Sequence, residues 1–106
     1  DIESARKVLS ENWEKYLVTK EVSEKICFTR DELKSFRGTE LGDFLCDSAV
    51  RWLDFTGRER ACMYDVLVVS AAAGEDYVQF VKRGELNISA DVKERFKDFI
   101  VNMLFR

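Results

Sequence analysis

Apolar side chains recur along most of the chain with the spacing of an amphipathic helix. Between Ile2 and Leu17 the apolar residues fall on one side of a helical projection and the charged residues on the opposite side. This is the 3.6-residue period that is typical of a helix lying on a core. The same period predicts further helices over residues 19–28, 30–36, 40–55, 75–83 and 90–106.

Local signals mark the ends of several of these helices. Thr29 and Glu32 form a Thr-x-x-Glu capping box, and Thr56 and Glu59 repeat the pattern. Gly38 stands where the third helix should stop. The apolar residues of segment 40–55 spread over about half the helix circumference, so we expect this helix to contact more than one neighbour.

Segment 61–73 is apolar almost throughout, with Asp65 and Ser70 as its polar residues. A helix that is apolar on all sides is expected at the centre of a bundle. The Val-rich run 63–69 also fits a buried parallel strand, but no second run of this kind exists to pair with it. We therefore expect an all-α fold, a compact bundle of five to seven mostly short helices around a central apolar helix at about 61–73.

The length and composition favour one folded domain. The chain has 106 residues, of which 46% are hydrophobic and 35% charged, and its net charge is −3. It contains no linker, repeat or low-complexity tract, so residues 1–106 are expected to form a single helical domain. Because the first residue is Asp1, we expect that this domain is excised from a larger protein. No stretch approaches the roughly 20 apolar residues that span a bilayer, which predicts no membrane insertion.

The absence of His removes most enzyme chemistry. Without His there is no Ser-His-Asp or Cys-His catalysis and no His-containing zinc site. Cys27, Cys46 and Cys62 are an odd and widely spaced set among apolar neighbours. They are expected to be buried, inert thiols in an intracellular protein, cytoplasmic or nuclear. We expect no enzyme, metal, cofactor or small-molecule substrate.

Two charged ridges and one apolar group are the candidate binding surfaces. Cations at i, i+4 and i+7 form a basic ridge, and the next helix carries an acidic ridge interrupted by Arg51. On the last helix an apolar group extends onto the side that otherwise holds charged residues, which marks a candidate partner site. The basic ridge is Arg30, Lys34 and Arg37; the acidic ridge is Glu40, Asp43, Asp47 and Asp54; the apolar group is Val101, Leu104 and Phe105.

These surfaces predict a non-catalytic protein–protein interaction domain. It would act by self-association, as a homodimer or larger oligomer, or by docking a partner segment. The alternative is an RNA- or nucleoprotein-associated domain in which the basic ridge contacts phosphates. Nucleic-acid binding is the less expected of the two because the chain is net acidic. Each charged ridge taken alone is more typical of an ordinary solvated helix face.

Overall fold

The computed structural model describes all 106 residues and contains six α-helices and five β-strands in two sheets. The helices are α1 (Ile2–Ser10), α2 (Lys20–Ser23), α3 (Arg30–Leu33), α4 (Glu40–Thr56), α5 (Tyr64–Ala72) and α6 (Phe96–Met103), and a 3₁₀ turn (Lys34–Phe36) follows α3. The strands are β1 (Lys15–Leu17), β2 (Cys27–Thr29), β3 (Arg60–Cys62), β4 (Val78–Arg83) and β5 (Leu86–Val92). The fold is therefore mixed α/β, and the expectation of an all-α helical bundle is wrong.

The largest departure from that expectation is the hairpin formed by β4 and β5. The two strands pair antiparallel as far as Arg83 and Leu86 and are joined by Gly84 and Glu85. Gly84 has φ +64°, a conformation that favours glycine in tight turns. The predicted helix over 75–83 is wrong because β-branched and aromatic residues on both sides of a glycine turn favour a hairpin. The helix predicted over 90–106 is shortened, because β5 runs to Val92, with Ser89 buried inside it, and α6 begins only at Phe96.

The first helix is also shorter than the segment from Ile2 to Leu17 over which the apolar pattern predicted it. α1 ends at Ser10, and β1 joins β5 in parallel, which gives the sheet order β1-β5-β4. Tyr16 is in register with Asn87, and the Lys15 amide donates to the Glu85 carbonyl at 2.8 Å. These partners lie about seventy residues away along the chain, so a local periodicity could not reveal them. No residue of α1 is buried.

The second sheet contains a disulfide. β2 and β3 pair antiparallel with Cys27 opposite Cys62, and the two sulfurs are bonded. Cys46 stays free and buried on α4. The expectation of three inert thiols is therefore wrong for Cys27 and Cys62, and the intracellular location inferred from unpaired cysteines loses that support. The helix predicted over 19–28 is reduced to α2 because β2 begins at Cys27.

The cap signals gave mixed results. The Thr29–Glu32 capping box is confirmed, with both of its reciprocal hydrogen bonds present. α4 begins after Thr39, whose hydroxyl accepts a hydrogen bond from the Gly42 amide at 3.0 Å. The second predicted box at Thr56 is wrong. Thr56 is the last residue of α4, and Gly57, at φ +70°, ends the helix in the left-handed conformation.

The apolar segment 61–73 is divided between a strand and a helix. β3 ends at Cys62 and α5 begins at Tyr64, so neither the single helix nor the strand over 63–69 is observed. Within α5 only Leu67 and Ser70 are buried, and valines on its other faces are exposed. Its apolar composition predicted a helix at the centre of the fold, and this prediction is wrong.

The core instead draws its residues from both sheets and from every helix except α1. Phe96, Leu33, Leu53 and Leu67 are each 0% exposed within it. The molecule measures 46 × 29 × 20 Å, with a radius of gyration of 15.9 Å. A compact chain of this length has a radius near 13 Å, so the fold is elongated and leaves much apolar surface uncovered. No helix combines the length and apolarity that a bilayer crossing requires.

Candidate functional site

The two predicted charged ridges pair with each other inside the chain. Arg30 on α3 forms a salt bridge with Asp54 near the end of α4. Arg37, just after the 3₁₀ turn, places Nη2 2.5 Å from Asp47 Oδ1 and Nη1 3.9 Å from Asp43 Oδ1. The hydrogen bond to Asp47 raises the pKa of the Arg37 guanidinium above its usual value. These contacts hold α3 and the 3₁₀ turn against the acidic side of α4.

Little unpaired charge remains on either ridge. Lys34 Nζ lies 2.9 Å from Asp31 Oδ1 within its own helical segment. Of the four acidic residues, only Glu40 makes no salt bridge within the chain. All of these side chains are partly solvated, so the pairs are screened by salt. The arrangement offers neither a cationic strip for phosphates nor an anionic strip for a basic partner.

Only part of the apolar group predicted on the last helix is exposed to solvent. Val101 and Leu104 pack against the core cluster. Phe105 is about half exposed, and its ring lies against Gly38 at the end of the 3₁₀ turn. The Thr39 hydroxyl donates to the Leu104 carbonyl at 3.1 Å, which fixes the end of α6 beside the start of α4.

Among the helices, α4 exposes the largest number of large apolar side chains. Gly42, Cys46 and Leu53 are buried on one side of this helix, and the acidic ridge occupies a second side. With about 100° per residue, the remaining side presents a row of large apolar residues around the small, exposed Ser48. We call this row the α4 apolar surface; it comprises Leu41, Phe44, Leu45, Trp52 and Phe55, all exposed to solvent.

The α4 apolar surface has coiled-coil spacing, which is the signal that sequence reasoning missed. Leu41, Leu45, Ser48, Trp52 and Phe55 follow one another at alternating steps of four and three residues. This is the a/d spacing with which one helix packs along another. The broad apolar stripe was recognised in the sequence, but its width did not reveal which half the chain itself covers.

A groove adjoins one end of the α4 apolar surface. It has a volume of about 640 Å³ and lies between the first turns of α4 and the end of α6. Its apolar lining comes from both helices, and Thr39, Glu40 and Arg106 supply the polar rim. We call it the α4/α6 groove; its apolar lining is Leu41, Phe44, Met103 and Leu104.

Other segments also expose large apolar residues, among them Trp13, Tyr16 and Leu17 after α1. α1 exposes Ile2, Val8 and Leu9, and α5 exposes three valines. A separate pocket of about 330 Å³ lies between α5 and the sheet and is lined entirely by apolar residues. Ligand pockets place a few polar groups to orient what they bind, whereas the one polar side-chain group of this lining, the Tyr16 hydroxyl, donates to Glu14 at 2.8 Å, a residue that does not line the pocket. Nowhere do three His, Cys, Asp or Glu side chains meet in a way that could hold a metal ion.

Comparison with protein-family models, with curated proteins and with solved structures finds no match to this chain.

Proposed function

We propose that this chain is a non-catalytic protein–protein interaction domain that self-associates through the α4 apolar surface. The observation that carries the proposal is the row of five large apolar side chains exposed along one helix. Contiguous exposed apolar surface is rare on monomers and marks interaction sites. α4 is also the longest helix of the chain, with 17 residues spanning about 25 Å.

The apolar area on α4 is large enough to matter for association. A buried aromatic side chain removes about 150–250 Å² from water, so the exposed fractions of Phe44 (67%), Trp52 (41%) and Phe55 (90%) amount to about 400 Å². A standard interface takes about 800 Å² from each partner. Three aromatic residues therefore supply about half of one partner's share, and aromatic residues are enriched among the residues that dominate binding.

The electrostatics also favour an apolar contact. α4 alone carries four acidic residues and one Arg, which would oppose the approach of two such helices. Arg30 and Arg37 form salt bridges with three of the four carboxylates within the chain and so offset most of this charge. The same pairing reduces the support for the nucleic-acid alternative, since phosphates would have to compete with Asp47 and Asp54 for these cations.

Size-exclusion chromatography with light scattering, over a wide concentration range at low and high salt, tests the proposal. We expect a dimer that forms with increasing concentration and persists at high salt, because apolar contacts are not screened. Phe55→Glu should shift the protein to monomer, whereas Val69→Glu, at an exposed site on α5, should not. A monomer at every concentration would overturn the proposal, as would an oligomer that dissociates in salt.

A further inference from the structure

We infer that the α4 apolar surface and the α4/α6 groove are complementary halves of one two-fold interface, in which Phe55 of each copy enters the groove of the other. The inference rests on the proposed function and specifies its partner as a second copy in antiparallel orientation. Phe55, at 90% exposure, is the most exposed large apolar side chain of the molecule. The groove holds the apolar lining that such a ring needs.

The positions of the ring and the groove along α4 fit a two-fold axis through Ser48. Phe55 lies seven residues after Ser48, and Leu41, in the groove lining, lies seven residues before it. An antiparallel pair of α4 helices centred on Ser48 therefore sets Phe55 of one copy opposite Leu41 of the other. A two-fold axis makes the contact reciprocal, so both Phe55 rings and both grooves are used.

The side chains between these ends are also matched in size. Four residues on either side of Ser48 lie Phe44 and Trp52, which face each other in the antiparallel arrangement. The small Ser48 at the centre permits the close approach of two helices, whose separation depends on the side chains at the contact. A parallel arrangement would instead oppose Trp52 with Trp52 and leave the grooves unfilled.

The charges on the flank of α4 agree with this orientation. Arg51 and Glu40 lie on the same flank, and neither makes a salt bridge within the chain. A two-fold axis brings equal flanks of two helices together. Arg51 of one copy then lies on the same side of the interface as Glu40 of the other, which is five residues, or about 7.5 Å along the helix, from the position directly opposite Arg51.

Paired charge substitutions test the reciprocal contact. Phe55→Glu and Leu41→Lys, each alone, should raise the dimer dissociation constant at least about tenfold, because either one places a charge in both apolar contacts. An equimolar mixture should recover dimers, since the heterodimer has one native contact and one Glu–Lys contact. Native mass spectrometry identifies the heterodimer, and circular dichroism confirms that each variant is folded.

The outcomes separate this inference from the proposed function. If the wild type dimerises and the mixture stays monomeric, the antiparallel contact is wrong while self-association stands. Variants that dimerise as tightly as the wild type would also overturn the contact. If the wild type is monomeric at every concentration, both fail together.

Cross-linking gives an independent readout of the two-fold axis. Ser48→Cys should form an intermolecular disulfide under mild oxidation, because the axis brings the two positions together. Asp43→Cys, one turn away on the acidic side, is the control and should remain unlinked. Cross-linking through residue 43 without cross-linking through residue 48 would overturn the orientation.

Discussion

Arg37 and Asp47 form a salt bridge, with 2.5 Å between Nη2 and Oδ1, that joins the end of the 3₁₀ turn to the middle of α4. Together with the bridge from Arg30 to Asp54, it turns the two predicted charged ridges into one internal contact. The apolar side of α4 takes no part in this contact and is the surface that we propose for self-association.

Reversing the three cations of the basic ridge should destabilise the fold through electrostatic repulsion. The change is Arg30→Glu, Lys34→Glu and Arg37→Glu, and we expect a lower thermal midpoint at low salt. The loss should shrink at high salt, because all of these pairs are solvated. Circular dichroism melting measures it, and Arg6→Glu with Lys7→Glu on the exposed helix α1 is the control. An RNA gel shift abolished by the triple change would instead support the nucleic-acid alternative.

Gly42→Ala should be strongly destabilising although it lies in the first turn of a helix. A Cβ at this position would lie 1.8 Å from the Phe36 carbonyl oxygen, so α4 and the 3₁₀ turn would have to separate. Chemical denaturation measures the loss of unfolding free energy, and Ser48→Ala on the exposed side of the same helix is the control. Equal stability of the two variants would contradict the observed packing.

Removing the disulfide should lower the free energy of unfolding, because the unfolded chain then gains conformational entropy. Cys27 and Cys62 are 35 residues apart, and closing a loop of that length is worth about 4 kcal/mol in the chain-entropy model. Cys27→Ser with Cys62→Ser should reduce the free energy of urea unfolding by about this amount, and a reductant should have the same effect on the wild type. Free Cys46, at 1% exposure, should not react with a thiol reagent until the chain unfolds. Insensitivity of the wild type to reductant would argue against the bond.

Stability should fall in acid partly through Glu32. Its carboxylate accepts hydrogen bonds from Lys97 and, at 3.2 Å, from the Thr29 amide, and these lower the pKa of Glu32 below its ordinary value of 4.5. A group whose pKa is lowered on folding stabilises the fold above its unfolded pKa, and that contribution disappears as the pH falls through the folded pKa. Glu32→Gln should therefore flatten the decline in unfolding free energy below about pH 4.5. Lys97→Gln should flatten this decline in the same way, and combining the two substitutions should flatten it little further. If either variant loses unfolding free energy in acid as steeply as the wild type, Glu32 is not a source of the decline.

The parts of the fold that could be predicted are those fixed by neighbouring residues. The Thr29 capping box and the start of α4 after Thr39 depend on hydrogen bonds between residues three apart. The strands could not be predicted from local periodicity, because β1 and β3 are too short to show a period and find their partners far along the chain. β4 and β5 did carry a recognisable hairpin signal around Gly84, which the helical interpretation overlooked.

In the candidate site, too, the sequence predicted local features but not the contacts between distant segments. The sequence placed Arg37 and Asp47 correctly on neighbouring segments, but only the packing of the 3₁₀ turn on α4 reveals that they pair. It also identified a broad apolar stripe on α4, yet the division between buried Leu53 and exposed Phe55 depends on which elements cover the helix. Val101 and Leu104 were chosen for their misplaced apolar character, which is explained by their contact with the core.

The most direct test of self-association through α4 is the fluorescence of Trp52 during dilution. The chain has two Trp residues, so the measurement uses a Trp13→Phe background, in which Trp52 is the sole Trp. Trp52 lies in the centre of the α4 apolar surface and is 41% exposed in the single chain. We predict that its emission shifts to longer wavelength on dilution, as dimers dissociate, with unchanged circular dichroism and at both low and high salt. An emission maximum that stays constant over the whole concentration range would contradict the account.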